Sequence, residues 1–496
     1  MKPLLILGIF LVYTVLLFAV TWITARKANN QSFYIGNRMS PWFVVAYGMI
    51  GASLSGVTFM SVPGWVKETQ FSYMVVVFGY LFGYFVIALV LLPLYYRLKL
   101  TSIYSYLEKR FGFWSYKTGA GFFILSRILG ASLRMFLVIN VLQLFVFDAW
   151  NVPFWVNVLI FITLIILYTL KGGIRTIVWT DMLQTTFMLL AVVLSVIYIS
   201  REMGTSIFKL AGTVFDSSIS RMFITDWHNE RFFVKQFLSG MFITISMTGL
   251  DQEMMQKNLS CRNLKEAQKN MFTFSGTLVF VNFLFLVLGA FLLIYAQSKN
   301  VTVALSDDLF PTLAFNYLTP FAGIVFLIGL ISAAFPSADG ALTSLTTSVS
   351  IDFLGLEKKV GVTEAAKTKT RYLVHITIAL IFFISILIFR SLNDRAIIDK
   401  LFTIAGYTYG PLLGLFSFGL FTKRQVNDKI TPVIAILSPV ICYFLSTFSE
   451  VLFNGYKFGF ELLLLNGLLT FTGLWAFSHK PDGYNVQNQD VALPEA

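Results

Sequence analysis

The stretch GGIRTIVWTDMLQ, residues 172–184, places Asp181 a few residues inside an apolar segment that continues to Ile199. An ionised carboxylate at this depth in a bilayer costs about 2.5–3.5 kcal/mol on the insertion scale. A carboxylate that is kept there at such a cost is a candidate functional group. The apolar segment therefore predicts a membrane-spanning helix, and Asp181 predicts that this helix has a binding role and not only a structural one.

The composition around this stretch is that of a polytopic membrane protein. The chain has 496 residues, of which 57% are hydrophobic and only 12% are charged, whereas about 25% is usual in globular proteins. The polar segments are too short for a separate soluble domain, so we expect one transmembrane domain over residues 1–480. The net charge of +12 is spread between apolar spans. This pattern favours membrane lipid over nucleic acid as a partner.

Other functional classes lack their usual sequence signals. Cys261 and Cys442 form no CxxC motif, and the three histidines are scattered, so neither a disulfide framework nor a metal cluster is predicted. No histidine or paired acidic motif suits an intramembrane enzyme. The short chain after the last span leaves no room for a signalling module. We therefore expect a transporter that is not an enzyme and has no organic cofactor.

Thirteen apolar segments have the length of membrane spans. They fall near residues 3–24, 41–63, 71–95, 117–147, 152–170, 176–200, 232–255, 271–296, 320–353, 372–390, 401–422, 430–452 and 458–478. With the N-terminus outside, the inner segments hold 23 of the 37 Lys and Arg residues and the outer segments hold 12. The positive-inside rule then predicts that the C-terminus is cytoplasmic, with residues 481–496 as a disordered tail.

Two spans carry features that oppose a continuous helix. Residues 48–64 read GMIGASLSGVTFMSVPG, with Pro63 near the end, and residues 244–252 read TISMTGLDQ. These spans open two successive five-helix blocks, residues 41–200 and 232–422. Interrupted helices at matching positions indicate an inverted-repeat transporter with its site at mid-membrane. Close packing of small residues is the alternative explanation.

The fold class predicted is therefore an all-α membrane protein with a five-plus-five inverted repeat, as in leucine-transporter-like proteins. One extra helix precedes the repeats, at residues 3–24, and two follow them, within residues 430–478. Sodium is a hard cation that needs several oxygen ligands, which transporters supply from unwound backbone and nearby side chains. The ninth span offers such side chains in Ser337 and Asp339, and Pro336 frees a carbonyl one turn earlier.

The chain resembles the sodium/solute symporter family, and within it the bacterial sialic acid symporters. The resemblance covers nearly the whole chain. The motifs that carry it are residues 172–184, LSxxTFMSxP at Leu54–Pro63, FYIGNR at Phe33–Arg38, PLYYRLKLTSIYSYLEKRFG at Pro93–Gly112 and GPLLGLF at Gly410–Phe416.

The resemblance implies sodium ligands in this chain. The main site of the family falls on the carbonyl groups of Gly51, Leu54 and Ala333 and on the hydroxyl of Ser337, with Pro336 in place of a second hydroxyl. A second site of some members uses Asp181 and serines whose positions are here Asp339 and Gly340. Two bare carboxylates cannot both persist in a low dielectric. Either sodium bridges them, one is protonated, or an arginine pairs with them, so one or two sodium ions are expected.

The resemblance also implies a substrate site. An arginine of the fourth span binds the substrate carboxylate in the sialic acid symporters, and Arg134 matches its position. Guanidinium fits a carboxylate in a two-pronged manner, although an internal salt bridge with Asp181 or Asp339 is an alternative. Ser53, Ser55 and Thr58 match sugar-contacting positions. Gln252 in the seventh span completes the predicted set.

We therefore expect sodium-coupled symport of a small polar solute that bears a carboxylate, such as a sialic acid or a sugar acid, by alternating access. The alternatives are proton coupling or a neutral sugar on the same fold. A monomer in the inner membrane, crossing it many times, is the expected form.

Overall fold

Lipid offers no hydrogen-bond partner to the backbone, so the apolar segments of this chain satisfy their peptide groups internally as helices. The computed structural model describes residues 3–26, 29–391 and 397–480. The principal helices are α1 (Pro3–Thr24), α2 (Trp42–Thr69), α3 (Tyr73–Arg97), α4 (Phe113–Trp150), α5 (Phe154–Glu202), α6 (Phe233–Gly249), α7 (Gln252–Leu259), α8 (Leu264–Ser298), α9 (Pro320–Phe353), α10 (Glu364–Ser391), α11 (Ile397–Phe421), α12 (Thr431–Thr447) and α13 (Leu462–Ala476).

Each predicted span overlaps one of these helices. Ten helices in the described ranges are long and apolar enough to cross a membrane, and the number is eleven if α6 and α7, which are bent by 64° to each other, count as one span. The spans predicted at 152–170 and 176–200 are joined in the 49-residue helix α5. Because α13 has only 15 residues, thirteen membrane crossings remain a prediction.

Helix α5 is broken at Gly173, between these two spans. Its backbone has φ 52° and ψ −145°, a conformation that a side chain would strain. A Cβ atom at this position would also lie 2.5 Å from the ring of Phe33. Glycine is therefore required here, and the break sets the direction in which Asp181 enters the core.

Helix α2 is interrupted as the sequence predicts, but the break is not at the proline. Ser55 has φ 46° and ψ 174°, whereas the helix continues through Pro63 to Thr69. The helix thus extends six residues beyond the predicted end of the span at residue 63. A helix that breaks at Ser55 leaves the last carbonyl groups before it without their usual intrahelical donors.

The second interruption separates α6 from α7. Asp251 caps α7 by accepting hydrogen bonds from the backbone of the next turn, at 2.9 Å from Glu253 N. The carbonyl groups of Gly249 and Leu250 accept hydrogen bonds from the hydroxyls of Tyr95 and Tyr104, both at 2.9 Å. These donors replace the missing helical bonds, so the break is satisfied within the protein.

Helices α2 and α9 form the centre of the bundle. In both, 83% of the most apolar stretch is buried, against 33% in α1 and α10 and 28% in α12. Short helices (Asn30–Ile35, Ser105–Arg110, Ile207–Phe215, Leu309–Thr312 and Ser449–Leu452) occupy the connections. Strands Gln425–Val426 and Ser478–His479 pair antiparallel. The predicted tail at 481–496 lies outside the described residues.

Candidate functional site

The break in α2 opens onto a polar cavity in the centre of the bundle. Ser53, Ser55 and Thr58 of α2 line this cavity, and Arg127 and Arg134 of α4 contribute to its wall. Sequence reasoning assigned four of these five residues to the substrate site, and the structure brings those four together. The cavity therefore combines hydroxyl groups with a cationic group, an arrangement that can hold a polar anion.

The two arginines of this wall have different surroundings. Arg127 is 4% exposed and forms salt bridges with Glu253 and, at 3.5 Å, with Asp251. Arg134 is half-buried, and among the described residues it forms no salt bridge. The Nε–H groups of both arginines are buried and donate to no described group, so it is the salt bridges that distinguish the two side chains. Arg134 is thus the guanidinium that is available to an external carboxylate.

Gln252 does not belong to this cavity. Its side-chain oxygen accepts a hydrogen bond from Ile103 N at 2.9 Å, and its amide nitrogen donates to Thr101 O at 2.8 Å. Both ends of the amide are therefore engaged with the backbone that precedes helix Ser105–Arg110. The structure therefore does not bring Gln252 together with the other predicted substrate residues, because its amide is bonded to this connection.

The predicted main sodium ligands lie on α2 and α9, the two helices at the centre of the bundle. Gly51 and Leu54 belong to the last turn before the break at Ser55, where carbonyl groups lose their helical donors. On α9, the hydroxyl of Ser337 is 1% exposed and has no hydrogen-bond partner among the described residues. Ala333 lies one turn before it on the same helix. These oxygen atoms are of the type that a hard cation prefers.

Asp181 is paired with a lysine. Its Oδ2 atom lies 2.7 Å from the Nζ atom of Lys257 on α7, and both side chains are 1% exposed. Lys257 also lies 3.6 Å from Glu253. The 23 basic residues assigned to inner segments from the sequence include Lys257, which α7 instead carries into the core. Without it, 22 inner basic residues remain against 12 outer ones, and the orientation stays a prediction.

Asp339 lies beside this pair but has a neutral partner. Its Oδ2 atom accepts a hydrogen bond from the Tyr168 hydroxyl at 2.9 Å. Its Oδ1 atom is buried without a hydrogen-bond partner among the described residues. No salt bridge in the described part of the chain joins Asp181 or Asp339 to an arginine, so that alternative is not supported.

The next residue on α9, Gly340, explains how α7 approaches so closely. A Cβ atom at this position would lie 2.4 Å from Oε1 of Glu253. Glu253 thereby bridges Lys257 and Arg127 against the bare backbone of α9. A row of alternating charges connects the cavity to the space between α5 and α9. In order, it consists of Asp251, Arg127, Glu253, Lys257 and Asp181.

A second cavity lies at the Thr69 end of α2 and shares two side chains with the first. Tyr73 and Phe402 line both cavities, and their rings stack with centroids 6.5 Å apart. Glu230 and Arg231 also line this second cavity. The two rings therefore form a wall that the central cavity and the second cavity share.

Sequence reasoning missed Lys257 as part of the site. The available signal is its spacing: Glu253 and Lys257 are four residues apart and thus share one helix face beside an interrupted span. It also missed Tyr168 and Tyr409, whose hydroxyl groups bind Asp339 and Asp251 at 2.9 and 2.6 Å. A single tyrosine within an apolar run has no pattern that separates it from packing residues.

Two broken helices that enclose a polar, charged site in a membrane bundle define a secondary transporter. The family model of the sodium:solute symporter family matches residues 33–429. The chain belongs to the sodium:solute symporter family.

Similar proteins extend over most of the chain. The sodium/sialic acid symporter SiaT of Proteus mirabilis is 25% identical over 444 residues, which are 84% of this chain and 85% of the relative. The sodium/sialic acid symporter NanT of Aliivibrio fischeri is 23% identical over 457 residues, 90% and 88% of the two chains.

A solved structure of a Na⁺-coupled sialic acid symporter, in a substrate-bound outward-open state, superposes with a TM-score of 0.80. It has 20% identity and covers 95% of this chain and 96% of its own. The predicted family and the predicted leucine-transporter-like fold class are confirmed.

Proposed function

We propose that this protein is a secondary active symporter that couples sodium entry to uptake of a carboxylate-bearing solute of the sialic acid class. The observation that carries the proposal is Arg134, a guanidinium at the cavity wall without an acidic partner in the described chain. Similarity to sodium/sialic acid symporters supports both the ion and the solute.

In this mechanism, Arg134 binds the solute carboxylate through two parallel hydrogen bonds. Ser53, Ser55 and Thr58 bind hydroxyl groups of the solute from the broken turn of α2. A sodium ion is held by the carbonyl groups of Gly51, Leu54 and Ala333 with the Ser337 hydroxyl. Because Ser55 interrupts α2 beside both positions, ion and solute stabilise the same closed arrangement of the helix.

A sodium ion drawn inward through about 100 mV contributes about 2.3 kcal/mol to uptake. Asp339 is a second candidate for a coupling group, since it lacks a basic partner in the described chain and could take a sodium ion or a proton. The inner membrane as location, the N-out orientation, the single domain at 1–480 and the monomeric state belong to the same proposal.

The test is uptake of a labelled sialic acid by purified protein in proteoliposomes, with and without an inward sodium gradient. The Arg134→Ala variant should lose uptake of the acidic solute while sodium still raises its melting temperature. Arg201→Ala, an exposed position at the end of α5, is the matched control. Sodium-independent uptake that follows a proton gradient would favour proton coupling, and retained uptake by Arg134→Ala would reject the carboxylate-binding role.

A further inference from the structure

The ammonium group of Lys257 occupies the position beside Asp181 that a small cation would take. It lies 2.7 Å from Asp181 Oδ2 and 3.6 Å from Glu253 Oε1, and the lysine side chain is 1% exposed. A lysine ammonium is a compact charge, and here it donates a hydrogen bond to Asp181 while it attracts Glu253 by charge alone, because 3.6 Å is too long for a hydrogen bond. Asp181 therefore already has a monovalent cation at contact distance.

The position of this ammonium is fixed by its surroundings. Glu253, one helical turn before Lys257, is held on its other side by the Arg127 guanidinium. The carboxylate of Glu253 also rests against the backbone at Gly340, where a Cβ atom would lie 2.4 Å away. If Lys257 swung out, Asp181 and part of Glu253 would be left buried without a counter-charge, which is strongly unfavourable.

A second cation at Asp181 would meet this charge at close range. Two like charges that share one carboxylate in a low dielectric repel each other strongly, so sodium binding there requires that Lys257 leaves or loses its proton. Asp339 differs, because its described hydrogen bond comes from the neutral hydroxyl of Tyr168 and no described lysine or arginine forms a salt bridge with it, although the Oδ1 atoms of both aspartates are buried without a described hydrogen-bond partner.

We propose that Lys257 is a built-in cation that fills the ion position at Asp181, so that no sodium ion binds to this carboxylate during transport. The inference rests on the proposed sodium coupling and restricts it: coupling ions bind at the break of α2 and, if a second one is carried, at Asp339. A permanently bound charge also keeps the α5–α7 contact closed without an ion gradient.

The experiment measures how many sodium ions are linked to folding stability, from the dependence of the melting temperature on sodium concentration in purified protein. Lys257→Met leaves Asp181 without its counter-charge, and sodium should then bind there. The number of linked sodium ions should rise by about one relative to the native protein. In the double variant Lys257→Met with Asp181→Asn, both charges are gone, and the number should return to the native value.

The opposite pattern overturns the inference. If sodium binds directly to Asp181 in the native protein, Lys257→Met will not raise the number and the double variant will lower it by about one. If Lys257→Met does not fold, the number of linked sodium ions is compared between the double variant and the native protein. Equal numbers support the inference, and a number lower by about one in the double variant overturns it. If sodium does not change the melting temperature of the native protein, the proposed function fails. A melting temperature that rises with sodium in Lys257→Met alone would still support this inference. Arg201→Ala serves as the unchanged control.

Discussion

The hydroxyl group of Tyr168 on α5 lies 2.9 Å from Oδ2 of Asp339 on α9. Tyr168 precedes the break at Gly173, and Asp181 follows it. The first half of α5 therefore donates the hydrogen bond to Asp339, whereas the second half carries Asp181 itself, which is paired with Lys257. One carboxylate has a basic partner and the other has a neutral one. This asymmetry makes Asp339 the more sensitive group to the loss of a single hydrogen bond.

Replacement of Tyr168 by phenylalanine removes that bond and leaves a buried carboxylate with one donor fewer. A hydrogen bond to a charged group contributes about 1.5–3 kcal/mol. We expect Tyr168→Phe to lower the melting temperature in the absence of sodium and to change the sodium concentration needed for half-maximal uptake. An equal effect from Tyr198→Phe, a tyrosine further along α5 that is not hydrogen-bonded to Asp339, would contradict this role.

Replacement of the two arginines of α4 by alanine should affect stability differently. Arg127→Ala leaves Glu253 and Asp251 buried with less counter-charge, and breaking a buried pair costs about 3–5 kcal/mol. Arg134→Ala removes no ion pair of the described chain, so its melting temperature should stay near the native value while acidic-solute uptake is lost. Thermal unfolding of both variants in detergent is the measurement. Equal destabilisation by the two substitutions would refute the division of roles.

Gly340 provides a steric test of the charge row. An alanine there would place its Cβ atom 2.4 Å from Glu253 Oε1, and Glu253 cannot retreat without weakening its bonds to Lys257 and Arg127. We expect Gly340→Ala to destabilise the protein by about 1–3 kcal/mol, as overpacking does. In Gly276→Ala, a helical position with open space around it, melting should be unchanged or slightly raised. The same result for both variants would show that α7 does not pack as described.

Much of this arrangement could be predicted from the sequence. Hydrophobic length located the spans, and Gly, Ser and Asp residues located the two interrupted helices. Arg134 was identifiable because a charged residue in mid-span is expensive and therefore informative. Ser53, Ser55 and Thr58 followed from the resemblance.

The remainder depends on tertiary packing. Lys257 lies in a polar run, which predicts a loop, and only the close approach of α7 to Gly340 shows that it is buried. Gln252 is polar and lies beside a break, but its partners are backbone atoms some 150 positions away in the chain. The span predicted at residues 41–63 ends at Pro63, whereas α2 continues through this proline to Thr69.

The wall formed by Tyr73 and Phe402 predicts a route for the solute. Because both rings line the central cavity and the second cavity, Phe402→Ala should connect the two cavities. A cysteine at Thr58 would report the change, since it lines the central cavity, and the native Cys261 and Cys442 are buried. We expect Thr58→Cys to react faster with a membrane-impermeant thiol reagent when combined with Phe402→Ala. In combination with Phe421→Ala, an exposed position on the same helix, the rate should not change. Equal rates in both backgrounds would mean that the solute enters elsewhere.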